Sequence, residues 1–209
     1  MRMPTGLMGG SFNPAHRGHR GASLHAMRRL GLGELWWLVS PGNPLKAGAR
    51  DMAPLAARLA SARAMARRTP IRASAIEARL GTRYTVDTLG KLRARYPRRQ
   101  FIWVMGADAL VDFHRWRGWR RIAATTPIAI LPRPGYDAAA RTARVMGWLR
   151  RFVRPTGQAR RWTTWRAPAL VFLVMPPDPG SATRVRAADP HWHLRHVALV
   201  PPPSATTER

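Results

Sequence analysis

The sequence predicts an α/β fold: a single doubly wound, mostly parallel sheet with helices on both faces. Two observations predict it. Short apolar runs alternate along the chain with segments long enough for a helix, and a parallel neighbour requires a crossover of that length. The 209 residues suit one domain, with no repeat or low-complexity linker inside it. We expect residues 1–200 to form this domain and residues 201–209 to be a disordered tail.

The predicted elements follow from the hydrophobic period. Runs rich in β-branched and aromatic residues are typical of strands, whereas alanine-rich or 3.6-periodic stretches indicate helices. In chain order we predict strand 5–8, helix 16–30, strand 34–40, helix 54–68, strand 71–76, helix 85–96, strand 101–105, helix 108–124, strand 128–131, helix 137–151 and strand 170–175. The last of these helices carries on one side Val145, Trp148, Leu149 and Phe152.

Glycine and proline set most of the boundaries. Gly31 and Gly33 stop the first helix, as glycines at helix C-termini commonly do. The breaker cluster at 41–44 ends the second strand. Pro54 takes the position that opens the second helix, and Pro97 closes the third.

Parallel sheets of this kind bind ligands at the carboxyl ends of their strands. The turns that follow the strands should therefore converge on one crevice. These turns come after Met8, Ser40, Met105, Leu131 and Met175.

The charge balance is strongly basic. The chain has 36 Lys and Arg residues against 10 Asp and Glu, a net charge of +26. Nucleic-acid-binding proteins have this composition, but a GC-rich genome produces it as well, together with abundant Ala, Gly and Pro. The arginines are scattered through apolar-periodic segments rather than collected in blocks. The charge predicts attraction for acidic partners, with nucleic-acid binding as a non-specific effect.

Several classes of protein are excluded. Without cysteine there is no disulfide framework, thiolate catalysis or Cys-ligated metal site. No apolar run approaches the 18 or more residues of a membrane span. Near the start of the chain, Pro4, Gly6, Gly9 and Gly10 interrupt any signal-like apolar stretch. We expect a soluble, cytoplasmic protein without a membrane partner.

The first turn contains two glycines, a serine and two histidines. Gly9 and Gly10 let the backbone approach a phosphate closely, and the Ser11 hydroxyl follows them. His16 and His19 lie three residues apart at a helix start, where free N–H groups and the helix dipole attract an anion. The pattern predicts a phosphate site suited to displacement at phosphorus. The alternative is a glycine-rich turn with two histidines on a helix surface; the pattern is neither a Walker A motif nor Gly-x-Gly-x-x-Gly.

The segment 9–14 followed by His16-x-Gly18-His19 resembles the opening motif of the H-x-G-H nucleotidylyltransferase superfamily. Later segments appear in the order seen in bacterial nicotinate-nucleotide adenylyltransferases. They are SPGNPLK at 40–46, RYTVDTL at 83–89, MGAD at 105–108 with Phe113, Trp116 and Trp119, and LPRPGY at 131–136. The resemblance extends to about Arg186 and implies the Rossmann-like fold of that superfamily.

The resemblance implies ATP and nicotinate mononucleotide as substrates, and nicotinate adenine dinucleotide and pyrophosphate as products. The mononucleotide phosphate attacks the α-phosphorus of ATP in line, so neither a protein nucleophile nor a general base is required. His16, His19 and Arg186 are implied as catalytic residues. Mg²⁺ is expected to bridge the phosphates and to keep most of its waters, with no protein ligand.

The resemblance also implies an ATP site. Its residues are Gly9, Gly10, Ser11, Phe12, His16, His19, Gly106, Asp108, Ser181, Thr183 and Arg186. Asp108 has two interpretations, a cap for the helix that follows it or a contact to ribose hydroxyls. We favour the ribose because a carboxylate would repel the phosphates beside it.

The implied mononucleotide site consists of Lys46, Tyr84, Thr85, Trp116 and Arg133. Trp116 would stack on the pyridine ring. As a pair on one predicted helix face, however, Trp116 and Trp119 are more typical of core packing, to which we assign Trp119. Lys46 is either a solvated loop lysine or a phosphate contact, and Thr85 is a helix N-cap, a contact to the pyridine carboxylate, or both. Arg133 is a substrate contact or one surface arginine among many.

The C-terminal part departs from the family pattern. Where the family has I-S-S-T-x-I-R, this chain has Gly180-Ser181-Ala182-Thr183-Arg184-Val185-Arg186. The loss of one hydroxyl costs about 1 kcal/mol of phosphate binding. Asn13 replaces the more usual Asp. No C-terminal helix is recognisable in 187–209, which leaves open the closing of the ATP site and any homo-oligomer contact.

Two alternatives remain. One is a sibling adenylyltransferase that acts on nicotinamide mononucleotide or phosphopantetheine. The other is a degenerate, basic relative that binds nucleic acid, with a steep salt dependence. The retention of His16, His19 and Arg186 argues against the second.

Overall fold

A computed structural model of the chain describes residues 2–42, 52–176 and 180–197. Within these residues seven strands form one sheet in the order β3-β2-β1-β4-β5-β7-β6, and every neighbouring pair is parallel. The strands are β1 (Met3–Gly10), β2 (Glu34–Val39), β3 (Ile71–Ser74), β4 (Arg99–Gly106), β5 (Ile128–Leu131), β6 (Val153–Arg154) and β7 (Leu170–Phe172). The predicted doubly wound parallel sheet is confirmed.

Helices connect the strands. The α-helices are α1 (Arg17–Leu30), α2 (Leu55–Ala66), α3 (Ile76–Leu80), α4 (Thr85–Arg95), α5 (Ala107–Val111), α6 (Trp119–Thr125), α7 (Asp137–Arg141), α8 (Met146–Leu149), α9 (Ala182–Ala188) and α10 (Leu194–Val197). Short 3-10 segments occupy Phe113–Arg115, Arg150–Phe152 and Thr156–Thr164. None of the described helices is long and apolar enough to cross a membrane.

The core lies on both faces of the sheet because successive strand residues point in opposite directions. Leu7 of β1 belongs to one apolar cluster, which β4 and helices α4 to α6 complete with residues such as Trp103 and Leu89. Met8 belongs to the other, which includes Trp37 of β2 and residues of α1 and α2. The helices on both faces, as predicted, bury these clusters.

The continuous helix predicted over 108–124 is wrong. The structure has α5, a 3-10 turn and α6 in its place. Trp116 has extended backbone dihedrals, and Gly118 has a φ of +63°, a conformation that favours glycine. A Cβ on Gly118 would also lie 3.2 Å from the Val86 side chain. Trp116 and Trp119 therefore do not share a helix face.

Other predicted boundaries also change. The helix predicted over 137–151 is divided into α7 and α8, yet its apolar side is real: Val145 and Leu149 are buried, and the Trp148 ring centroid lies 5.7 Å from that of Trp119. The strand predicted over 71–76 ends at Ser74 because α3 begins two residues later. The sequence did not predict α3, β6 or the 3-10 segment at 156–164.

Two predictions about helix ends need correction. Tyr84, not Thr85, is the N-cap of α4, and no side chain caps that helix. Past residue 187, where no helix was expected, α9 continues to Ala188 and α10 packs against α2. Residues 198–209, which include the predicted tail, lie outside the described residues.

Candidate active site

The carboxyl ends of four strands meet at one edge of the sheet. Gly10 of β1 pairs with Val39 of β2, and Gly106 of β4 pairs with Leu131 of β5. Between these pairs, Leu7 of β1 lies beside Trp103 of β4. Gly10 is three residues after Leu7, and Gly106 is three residues after Trp103. The strands β1 and β4 therefore end side by side, and the turns that follow them start at the same height of the sheet. They lie where the strand order reverses, which is where such sheets bind ligands.

The turn after β1 is closely packed against the core. A Cβ on Gly9 would lie 2.8 Å from the Trp103 ring, a distance that requires one of them to move. Phe12 has a φ of +46°, a conformation that is costly for a bulky residue. Its buried ring stacks on Trp37 at a centroid distance of 4.9 Å and lies 4.9 Å from the His19 ring. Phe12 therefore packs against His19 and limits the movement of its ring.

His16 and His19 lie together at the start of α1. Their ring centroids are 3.8 Å apart, and the His16 backbone N–H donates to His19 Nδ1 at 3.2 Å. Since Nδ1 accepts, a neutral His19 ring carries its proton on Nε2. Burial, followed by the charges of His16 and Arg133, lowers the pKa of His19 to about 3. The ring is thus a neutral N–H donor at physiological pH.

The divergent C-terminal motif reaches this turn. Arg186 of α9 donates a hydrogen bond of 2.7 Å to the Asn13 carbonyl. Ser181 is the N-cap of α9, and its hydroxyl accepts from the Arg184 N–H at 3.2 Å. Thr183 lies in the first turn of the helix and is exposed. The segment 180–186 therefore keeps a capped helix that presents Arg186 to the β1 turn.

Asp108 and Arg133 face each other across the turns after β4 and β5. Arg133 Nε lies 3.8 Å from Asp108 Oδ2, and the Arg133 backbone N–H donates to Asp137 Oδ1 at 3.2 Å. The N-cap of α5 is Gly106, and Asp108 does not cap the helix; its carboxylate folds back over Gly106. The charge of Arg133 is also one of the causes that lower the pKa of His19.

The predicted mononucleotide residues approach one another from two elements. Trp116 is half-buried, and its ring makes edge contacts with Trp103 at 6.2 Å and with Phe113 at 5.4 Å. The guanidinium of the next residue, Arg117, lies 4.8 Å from the Tyr84 ring centroid, a favourable cation–π distance. Tyr84 is followed by Thr85 at the start of α4, so that residues 84–85 and the Trp116 turn share one side of the crevice.

Two other predicted residues need separate mention. Trp119 packs against Phe113 and Trp148 at 5.9 and 5.7 Å, which confirms its assignment to the core. Lys46 lies outside the described residues.

Sequence reasoning missed two buried charged residues, Arg58 and Glu77. Arg58 of α2 is 1% exposed and bonds the turns after β1 and β2. Its spacing with the buried Ser61 and Ala62 places it on the inner face of the helix, a signal hidden by the abundance of arginine. Glu77 of α3 accepts a hydrogen bond of 3.1 Å from Thr88, and burial raises its pKa to about 7.

The described residues contain no group of three or more His, Cys, Asp or Glu side chains that could hold a metal ion.

Comparison with known proteins identifies a family. The cytidylyltransferase-like family model matches residues 7–188. A probable nicotinate-nucleotide adenylyltransferase of Erythrobacter litoralis is 58% identical over 192 residues, which cover 92% of this chain and 87% of the relative. One of Parvibaculum lavamentivorans is 49% identical over 92% of this chain and 95% of the relative.

Solved structures agree in fold. Plasmodium falciparum nicotinic acid mononucleotide adenylyltransferase complexed with NaAD superposes with a TM-score of 0.64 over 89% of this chain and 83% of that chain, at 14% identity. At that identity the likeness establishes the fold alone.

Proposed function

The chain belongs to the cytidylyltransferase-like family, and from this premise we propose that it is a nicotinate-nucleotide adenylyltransferase. It transfers the adenylyl group of ATP to nicotinate mononucleotide and releases pyrophosphate, a step of NAD biosynthesis. The names of relatives 58% and 49% identical support this activity. The structural observation that carries it is the convergence of His16, His19 and Arg186 on one glycine-rich turn.

In this reaction a phosphate oxygen of the mononucleotide attacks the α-phosphorus of ATP. The new P–O bond forms as the bond to the departing pyrophosphate breaks. The attacking phosphate is largely ionised at neutral pH, so no side chain has to remove a proton. The protein supplies orientation and charge stabilisation.

The residues at the β1 turn supply that stabilisation. The neutral His19 ring presents an Nε2–H donor, and the start of α1 beside it offers backbone N–H groups. Arg186 adds a positive charge at the same turn. With Gly9, Gly10 and Ser11 they form an oxyanion site for the triphosphate.

ATP enters as its magnesium complex. As a part of that substrate, Mg²⁺ would be held by phosphate oxygens and water rather than by protein side chains. Gly106, the last residue of β4, and Asp108 of α5 then take the ribose. The charge of Asp108 is balanced by Arg133, which keeps the carboxylate compatible with nearby phosphates.

The mononucleotide lies on the aromatic side of the crevice. Trp116, held edge-on by Trp103 and Phe113, offers a platform for the pyridine ring. Tyr84 and Thr85 contact it from the same side, beside Arg117, and Arg133 and Lys46 contact the substrate phosphate. The domain boundary at residue 200, the cytoplasmic location and a homo-oligomer stay predictions.

Pyrophosphate release from the purified protein with ATP and Mg²⁺ tests the proposal. The acceptors are nicotinate mononucleotide, nicotinamide mononucleotide and phosphopantetheine, compared at equal concentration, with His19→Ala as the negative control. We expect release with nicotinate mononucleotide and at least about tenfold less with the other two. A preference for another acceptor would assign the chain to a sibling activity. If the folded protein releases no pyrophosphate with any of the three acceptors, adenylyl transfer is contradicted and the nucleic-acid-binding alternative is favoured.

A further inference from the structure

Arg58 is a buried arginine whose hydrogen-bond partners, among the described residues, are all backbone carbonyls. Its Nε donates to Ala53 O at 2.8 Å, and its Nη1 donates to Ser11 O and Ser40 O, each at 2.7 Å. Its Nη2 donates to Pro41 O at 3.3 Å. One guanidinium thus joins the turn after β1, the turn after β2 and the segment that precedes α2.

We propose that Arg58 is a positioning residue for adenylyl transfer: it sets the β1 turn against the β2 turn, so that Ser11 and its neighbours meet ATP in a fixed arrangement. This inference rests on the proposed function for its catalytic consequence. Its structural part, the ordering of the two turns, stands independently. Arg58 acts through the backbone and does not contact substrate.

The energetics of this site argue against a role in general stability. A buried cation loses its hydration, and among the described residues none of the Arg58 hydrogen bonds goes to a carboxylate. Burial accordingly lowers the pKa of this guanidinium. An apolar side chain of similar volume is often at least as stabilising at such a position. What an apolar residue lacks is the planar fork of donors that holds several carbonyls at once.

The turn that Arg58 holds is also held from two other sides. The Ala53 N–H donates to Asn13 Oδ1 at 3.1 Å, and Arg186 donates to Asn13 O. Arg58 thus holds Ser11, and Ala53 and Arg186 hold Asn13, two residues further along the same turn. That turn leads directly into the histidines. A shift of about 1 Å at such a place costs on the order of 100-fold in rate.

Arg93 provides a matched control. It is a half-buried arginine of α4 that donates to Thr125 O at 3.2 Å and Thr126 Oγ1 at 3.0 Å. Burial lowers its pKa as it does for Arg58. Its partners precede β5, at the opposite edge of the sheet from the β1 turn. Arg93→Met therefore removes a half-buried guanidinium that also donates to a backbone carbonyl, without touching the site.

The experiment compares Arg58→Met, Arg58→Lys and Arg93→Met with the parent protein by kcat, KM, thermal midpoint and backbone hydrogen exchange. We expect Arg58→Met to lower kcat by about 100-fold while each KM changes by less than about fivefold. In Arg58→Met, backbone hydrogen exchange should become faster in segments 9–13 and 40–42. The kcat of Arg58→Lys should lie between those of Arg58→Met and the parent protein. Arg93→Met should keep the kcat of the parent even though its thermal midpoint falls as much as that of Arg58→Met.

Chemical rescue separates positioning from folding. Arg58→Ala leaves a space that free guanidinium ion fits, and millimolar guanidinium, below denaturing concentration, should raise its kcat at least tenfold. Arg93→Ala should show no such rise. Unchanged exchange in 9–13, or a kcat loss that follows the thermal midpoint equally in both variants, overturns the proposal. If the parent protein releases no pyrophosphate, the proposed function fails, and the exchange data alone decide whether Arg58 orders the turns.

Discussion

Arg186 and Asn13 are 173 positions apart in the chain, yet the Arg186 guanidinium donates a 2.7 Å hydrogen bond to the Asn13 backbone carbonyl. The acceptor is the main chain, so this bond does not depend on whether Asn or the more usual Asp occupies position 13. The Asn13 side chain is engaged separately, through its Oδ1 and the Ala53 N–H, a bond that a carboxylate would also accept. Both departures from the family pattern at this place, Asn13 and the segment 180–186, thus leave the connection intact.

Replacement of Arg186 by Gln should lower kcat/KM for ATP by at least about 100-fold, because the variant removes both the positive charge and the connection to the β1 turn. Arg184→Gln is the matched control, since Arg184 is an exposed residue of the same helix. Steady-state kinetics at varied ATP measure the effect. Equal losses in the two variants would show that charge in α9, rather than the Arg186 contact, is what matters.

Gly9→Ala should impair activity through Trp103. The added Cβ would meet the ring at 2.8 Å, and the buried ring cannot yield without moving Trp116, which it contacts at 6.2 Å. We expect a KM for nicotinate mononucleotide raised at least fivefold and a loss of about 1–3 kcal/mol of stability. Gly147→Ala is the control because no atom lies within 4 Å of its added Cβ. An unchanged KM in Gly9→Ala would show that packing at Gly9 does not affect the position of Trp116.

The features that could be predicted from the sequence depend mostly on residues close together in the chain. The parallel sheet follows from the alternation of strands and helices, and the β1 turn is readable because its residues lie within one short segment. The break at Gly118 was not readable, since apolar residues continue on a helical period on both sides of it. At Gly118 the backbone has a φ of +63°, and an added Cβ would lie 3.2 Å from Val86, which is 32 positions away.

The two missed charged residues illustrate a second limit. Arg58 is one of many arginines, and its helical spacing with Ser61 and Ala62 does not stand out among them. Its role depends on carbonyls up to 47 positions away. Glu77 is likewise defined by burial beneath residues 82–88, which no pattern within α3 reveals.

His19 should remain neutral throughout the working range of pH. Its folded pKa of about 3 lies below the ordinary 6.5, so the unfolded chain binds a proton between these values that the folded chain does not. The contribution of this residue to stability is therefore present above pH 6.5 and is lost as the pH falls toward 3. Ring-proton NMR titration, with His19→Gln to assign the signal, checks this. A midpoint near 6.5 for the His19 signal would contradict a neutral donor.

Trp116→Ala and Trp119→Ala should have opposite effects on binding and stability. Trp116 is half-buried and is the proposed platform for the pyridine ring, so its loss should raise KM for nicotinate mononucleotide at least tenfold at a modest cost in stability. Trp119 packs between Phe113 and Trp148, so its loss should cost about 3 kcal/mol or more and leave KM within about twofold. Kinetics and urea unfolding of both variants measure the difference. A larger KM effect in Trp119→Ala would reverse the assignment of the two rings.

Glu77 should make the protein less stable in mild alkali. Burial raises its pKa from 4.5 to about 7 despite the hydrogen bond from Thr88, so the folded state holds a proton that the unfolded state releases. The contribution is fully present below pH 4.5 and is lost as the pH rises through 7, up to about 3 kcal/mol at 1.36 kcal/mol per pKa unit. The same Thr88 hydroxyl lies 2.9 Å from Thr82 Oγ1 and 3.2 Å from the Tyr84 carbonyl, so a charged Glu77 disturbs the wall that carries Tyr84. Urea unfolding at pH 5 and pH 8 should show a fall in stability that Glu77→Gln reduces; an equal fall in the variant would place the titrating group elsewhere.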